Sequence, residues 1–202
     1  MGLRPGLKIL TIAATVAAYV RVGRPWQLKW GATPDEVSRP LPGDDLVPRP
    51  TFNATRAISI DAPPERIWPW LVQVGTTRAG WYSYDLLDNL GHPSARRIIP
   101  ELQRLAPGDV VPMSPDGRQG IRVHSLDEPH LMIWGTPGDT TWVWQLDARS
   151  DGTTRVVTRI RSRIRWTPRS IAYSALVEVA DIWMIRKMLL NLRDRAERRG
   201  SD

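Results

Sequence analysis

The sequence predicts a two-layer α+β domain in which one antiparallel sheet is covered by a single long C-terminal helix. Five short stretches between Asp109 and Trp166 alternate with period two and are separated by turn-forming clusters. One further strand-like run, Thr51 to Ala62, precedes them, and Pro168 to Arg199 carries a single apolar stripe at helical spacing. Sequential strands with short links favour an antiparallel meander. A sheet with one apolar face needs one covering layer, and the long helix supplies it.

From Ile9 to Val20 the chain carries no charge, with Arg4 and Lys8 before it and Arg21, Arg24 and Lys29 after it. Such a run reaches about 18 Å as a helix, short of the roughly 30 Å of a bilayer core unless the flanking cations snorkel. Residues 1–30 therefore read as an apolar, anchor-like helix with its flanks. A helix packed on the domain is the alternative; a removed signal peptide lacks its Ala-x-Ala pattern. More Lys and Arg follow the run than precede it, so a membrane-associated chain would keep its domain in the cytoplasm. Without association, a soluble cytoplasmic protein is expected.

Residues 31–50 contain Pro34, Pro40, Pro42, Pro48 and Pro50 and read as a semi-rigid connector lying on or leading to the domain. The domain proper spans 51–199. Its first strand, Thr51 to Ala62, ends at Asp-Ala-Pro-Pro, a helix start with proline in the first turn. Ile67, Trp70, Leu71 and Val74 then recur at helical spacing up to Gly75, and a second short helix is expected from Tyr82 to Leu90, capped by Gly91. Strands follow at Asp109–Met113, Gln119–Leu126, His130–Gly135, Thr140–Leu146 and Thr153–Trp166. On the final helix Ile171, Ala175, Val179, Ile182, Ile185, Leu189 and Leu192 share one stripe.

With no cysteine, the chain has no disulfide framework, thiolate metal site or cysteine nucleophile. No histidine pair has metal-ligand spacing, and phosphate-loop, dinucleotide and serine-hydrolase motifs are missing, so no metal and no cofactor are expected. A net charge of +7 draws the chain to acidic surfaces without choosing among them. Nucleic acid is not expected, because no aromatics interleave with the arginine run and no DNA-binding signature occurs.

Two strings add a resemblance. TRAISIDAPPERIWPWLVQVG, Thr55 to Gly75, and RAGWYSYDLLDNLG, Arg78 to Gly91, resemble the opening of bacterial SRPBCC proteins, the START/Bet v 1-like superfamily of polyketide cyclases, dehydrases and lipid carriers. The resemblance extends over roughly Thr51 to Arg199. It implies the helix-grip fold, a curved antiparallel sheet wrapped around the C-terminal helix with a cavity between them, and a hydrophobic small molecule or lipid as partner. It carries no invariant catalytic set, since function does not travel with fold.

The residues that would form such a site follow from alternation. Trp142, Trp144 and Leu146 share one strand face and point toward the final helix, as core or as cavity wall. Trp81, Tyr84 and Asp85 lie where the second helix would border the cavity mouth. There Asp85 orients a ligand oxygen, caps the helix, or pairs with Arg78 or Arg96. Trp70 from the first domain helix, and Val179, Ile182 and Trp183 from the last, complete the expected lining. An enzyme of the cyclase or dehydratase type would use Asp85, Tyr84 or His92 for proton transfer; a membrane-tethered structural domain with a filled core is a further alternative. On the last strand Arg159, Arg161, Arg163 and Arg165 share the outer face, either as a solubilising edge or as a basic surface for anionic lipid.

Overall fold

The computed structural model describes residues 5–114, 116, 118–163 and 168–198, leaving aside the helical side chains of 5–9, 12–13, 168–177 and 179. Six antiparallel strands form one open sheet in the order β1-β6-β5-β4-β3-β2. They are β1 Phe52–Ile60, β2 Val110–Pro112, β3 Gly120–Asp127, β4 Leu131–Thr136, β5 Thr140–Ala148 and β6 Thr154–Ser162. From β2 onward each strand pairs with the next in sequence, and β6 then closes on β1. A bulge between Val123 and Ser125 in β3 shifts the register, and such bulges bend a sheet.

Helix α4, Pro64–Val72, follows β1, and a long helix, Pro168–Glu197, lies over the curved sheet. We number the intervening one-turn helix Asp85–Asp88 as α5 and the long one as α6. Ile182, Ile185, Met188, Leu189, Leu192 and Ala196 of α6 are buried against even-numbered residues of β5 and the inner faces of β1 and α4. This is the helix-grip architecture expected from the order of elements. Each strand lies within a few residues of its expected place, except that β6 stops at Ser162.

The second short helix is a correction. In place of Tyr82 to Leu90 only Asp85–Asp88 is helical. Tyr82 is held at φ 55 and Leu90 at φ 51, left-handed values that a bulky residue adopts only under external restraint. That restraint is explicit. Tyr82 Oη donates to Trp70 O at 3.0 Å, its amide donates to Ser94 Oγ at 3.3 Å, and its carbonyl accepts from Asn191 Nδ2 at 2.7 Å.

The N-terminal region begins with α1, Pro5–Ala18, which runs through one π-type turn at Tyr19–Gly23 into α2, Arg24–Leu28. Pro25 explains the turn, since a proline inside a helix removes a donor and clashes one turn back. Among the described residues no helix is long and apolar enough to cross a membrane.

Residues 31–50, with the short α3 at Pro34–Ser38, lie on the outer face of the sheet. Here the basic stripe of β6 departs from expectation. Arg159 is 2% exposed, and its five N–H donors go to Thr55 Oγ1, Arg39 O, Asp44 Oδ2, Glu36 O and Val37 O. Arg161 donates to Val47 O and Pro48 O, and exposed Arg163 to Arg49 O. Arg165 falls outside the described residues. Arg155, on the same face, grips Glu36 through two bonds of 2.8 Å and Gly31 O at 2.6 Å. Alternation places these arginines outside correctly, but the proline-rich segment covers that face. Arg159 and Arg161 are therefore spent on main-chain carbonyls and Asp44, not presented to a membrane.

Two details make the clamp tight. Gly31 has φ 72, and a Cβ there would sit 2.0 Å from Ala57 O, so only glycine lets the connector approach β1. Glu36 closes a capping box with Thr33 at the start of α3 while also receiving Arg155.

Gly31→Ala is expected to lower the unfolding free energy by about 3 kcal/mol, read by denaturant titration, because backbone would have to move. The Arg155 hydrogen bonds hold the Glu36 carboxyl at about 2 against an ordinary 4.5. A depressed folded-state pKa gives stability that is complete above the unfolded value and is lost as pH falls toward the folded one. Stability on the order of 3 kcal/mol should therefore disappear between about pH 5 and pH 2. Glu36→Gln keeps the cap but not the charge. Its unfolding midpoint should be lower at pH 7 and flatter across that window.

Candidate functional site

Between the inner sheet face and α6 a cavity of about 450 Å³ remains open. Its walls are Trp142 of β5, Ile121 of β3, Ile160 of β6 and Met184, Ile185 and Met188 of α6, closed on one side by Trp81 and by Leu87 and Leu90 around α5. The volume falls in the range of small-molecule sites, and the lining is mostly apolar.

The tryptophans explain why space is left. Trp134 and Trp142 are directly paired across β4 and β5, and Trp144 follows on the same face. Trp142 stacks on Trp81 at 5.8 Å with rings 9° apart, while Trp134 meets Trp142 edge-on at 5.4 Å. Trp144 completes the group, 5.2 Å from Trp142. Rigid rings locked to one another cannot collapse into the neighbouring volume as aliphatic chains would. The two indoles that reach the cavity have already used their donors, Trp81 on Thr76 Oγ1 at 3.0 Å and Trp142 on Thr158 Oγ1 at 2.7 Å.

Polar groups in the cavity come from elsewhere. Asp181 of α6 lines it and meets the buried Arg56 guanidinium, with Nη2 to Oδ2 at 2.6 Å. This is an ionic contact and not an aligned hydrogen bond, since neither atom has a partner of acceptable angle. Arg56 also donates from Nε to Gln27 O at 2.9 Å. Burial pushes the Asp181 carboxyl above the ordinary range against the pull of Arg56. At the opposite wall Asp88 is likewise raised by burial, opposed by the Ser83 hydroxyl and the Tyr84 amide. Ser83 Oγ is buried in the lining and has no hydrogen bond of full geometry.

Of the residues expected from the sequence, Trp81 and Trp142 line this cavity. Trp144 and Ile182 are fully buried in the core beside it. Trp70 packs edge-on against Tyr82 and faces a separate basic pocket. Tyr84 is exposed, with Lys187 Nζ 4.0 Å from its ring centre, and Trp183 is half exposed on α6. Asp85 turns away from the cavity. Its Oδ1 accepts from Ser94 and from Asn89, and these bonds hold its carboxyl low despite burial. The side chain of Val179 lies outside those described. His92 borders a different hollow, beside Arg78 and Pro93, so Tyr84, Asp85 and His92 do not converge.

Sequence reasoning missed Asp181, Asp88, Ser83 and Arg56. Asp181 interrupts the apolar stripe of α6 one residue before Ile182, and Arg56 stands among inward residues of β1. A charge at an inward position was the available signal. Among the described residues no group of His, Cys, Asp or Glu is arranged to hold a metal ion.

No family model matches the chain, and no curated protein does. Solved structures resemble it in fold. A polyketide-cyclase-like protein of Corynebacterium glutamicum is 14% identical over 70% of this chain and 88% of its own, with a TM-score of 0.45. A Bacillus halodurans protein is 15% identical over 73% and 99%, with a TM-score of 0.47. The Aha1 dimer of Colwellia psychrerythraea is 19% identical over 74% and 100%, with a TM-score of 0.43. At these identities the likeness concerns the fold alone. The helix-grip architecture stands on the chain's own strand order and final helix.

Proposed function

We propose that the protein binds, and in doing so can carry, a hydrophobic small molecule or lipid in the cavity between its sheet and α6. The observation that carries this reading is a mostly apolar space of about 450 Å³ walled by stacked tryptophans. Apolar surface buried there contributes roughly 25 cal/mol per Å², less the cost of immobilising the guest. A guest with one polar end suits this lining, because Ser83, Asp88 and Asp181 reach an otherwise mostly apolar space. Because both cavity indoles are spent on threonines, that end addresses Asp181 or the Ser83–Asp88 wall, which favours a hydroxyl or other donor over an acidic head.

A cavity-filling substitution tests this. Met184→Trp, at a half-buried position on the lining, is expected to weaken binding of the neutral dye N-phenylnaphthylamine at least about tenfold while unfolding at a similar temperature. Undiminished dye binding would defeat the proposal. Asp181→Leu should behave differently. It strands the Arg56 charge and is expected to cost about 3–5 kcal/mol, whereas the pair Arg56→Met with Asp181→Leu recovers most of that loss by denaturant titration.

For α1 the reading is an interfacial helix. Leu10 and Val16 of α1, and Val20 and Val22 of the π-type turn that continues it, are all exposed, beside Arg21. Full-length protein should partition partly with membranes on cell fractionation. Leu10→Glu with Val20→Glu should move it to the soluble fraction, and equal partitioning of both forms would count against the idea.

A further inference from the structure

A second pocket, of about 500 Å³, lies on the other side of Ser83 from the tryptophan cavity, and its chemistry is opposite. Lys187 and Arg195 reach it from one face of α6, Arg198 from just past the end of that helix, and Arg96 from the loop after Ser94. Arg66 of α4 joins Arg195 and Arg198 in the hollow next to it. Several arginines elsewhere are paired with carboxylates. Arg24, Arg56, Arg155, Arg159 and Arg161 each meet a carboxylate within 4 Å. Among the described residues none of the five cations here forms such a pair. The one carboxylate in the lining, Asp85, already accepts from Ser94 and Asn89.

Two of the cations are also held in place. Arg195 lies 4.4 Å from the Tyr82 ring centre and donates to Ala95 O at 3.0 Å and Asn191 O at 3.2 Å. Lys187 rests over Tyr84. Burial disfavours the charge on Arg195, the nearby Tyr82 and Asp85 support it, and Arg198 and Arg96 repel it. Like charges crowded in a concave, partly desolvated space are unfavourable until an anion enters, and guanidiniums match phosphate oxygens in forked geometry.

We propose that this pocket is a second ligand site, which takes a phosphate group. Its volume exceeds that of the bare ion, so the group is expected to arrive as part of a larger molecule, either a water-soluble phosphate ester or a lipid headgroup. The inference does not rest on the apolar cavity being occupied.

The test titrates the full chain with inorganic phosphate by calorimetry, at constant ionic strength set with chloride. Saturable binding is expected. Arg96→Glu combined with Arg198→Glu, both exposed positions, should weaken it at least about tenfold, and Met184→Trp should leave it unchanged. Should the double variant fail to fold, Arg96→Ala is read in the same way. Short-chain phosphatidic acid below its micelle concentration separates the two sources. If it binds and is displaced by phosphate, the lipid headgroup is the source; if phosphate binds and phosphatidic acid does not, the soluble ester is. Binding of neither at about 10 mM, or equal affinity in the charge-reversed variant, overturns the proposal.

Discussion

A guanidinium buried in the inner face of β1 organises the rest of this molecule. Arg56, 1% exposed, cannot be left unmatched where water is excluded. Its two partners come from distant parts of the chain, Gln27 O of α2 and Asp181 of α6. Meeting that demand fixes where the N-terminal helix lands and where α6 crosses β1. Gln27 is itself drawn in by Glu178 of α6, which also pairs with Arg24, so α2, β1 and α6 are joined by one polar network. The tryptophan cavity begins where that network ends, at Asp181.

The outer face obeys the same rule by different means. Arg155, Arg159 and Arg161 sit on the edge-ward half of the sheet and are satisfied by Glu36, Asp44 and the carbonyls of a proline-rich segment. Proline suits this task because it leaves carbonyls without competing donors in an extended chain. The segment is thus a covering layer over β1 and β6, and removing it would strand three guanidiniums. Residues 31–50 contribute to the domain's stability although they contribute no strand to its sheet.

The order of elements was legible because periodicity changes sharply between sheet and helix, and because Gly, Pro and Asp clusters mark nearly every turn. The extent of the helix at Tyr82 to Leu90 was not, since Tyr82 is forced out of helical geometry by Trp70, Ser94 and Asn191, partners local patterning does not reveal. Alternation told correctly which way Trp142 and Trp144 point. It could not tell that one borders a void and the other is packed solid, because that depends on how far α6 stands from the sheet at each position along β5. For the arginines of β6, alternation gave the face but not what covers it. Asp88 and Ser83 were invisible as site residues for a similar reason. Their place at the cavity wall follows from a loop held open by left-handed residues, not from a motif.

The two pockets share a wall at Ser83 and differ in everything else. One is aromatic and mostly apolar and carries carboxyls whose charge is disfavoured by burial; the other is lined by Arg96, Lys187, Arg195 and Arg198, none of which pairs with a carboxylate among the described residues. The account depends first on the apolar compartment being usable space. Native mass spectrometry of the full chain purified from cells, before and after organic extraction, addresses this directly. The account predicts a non-covalent adduct of small-molecule mass that extraction removes and that returns on incubation with the extract. A single bare-chain mass both before extraction and after incubation with that extract would contradict it.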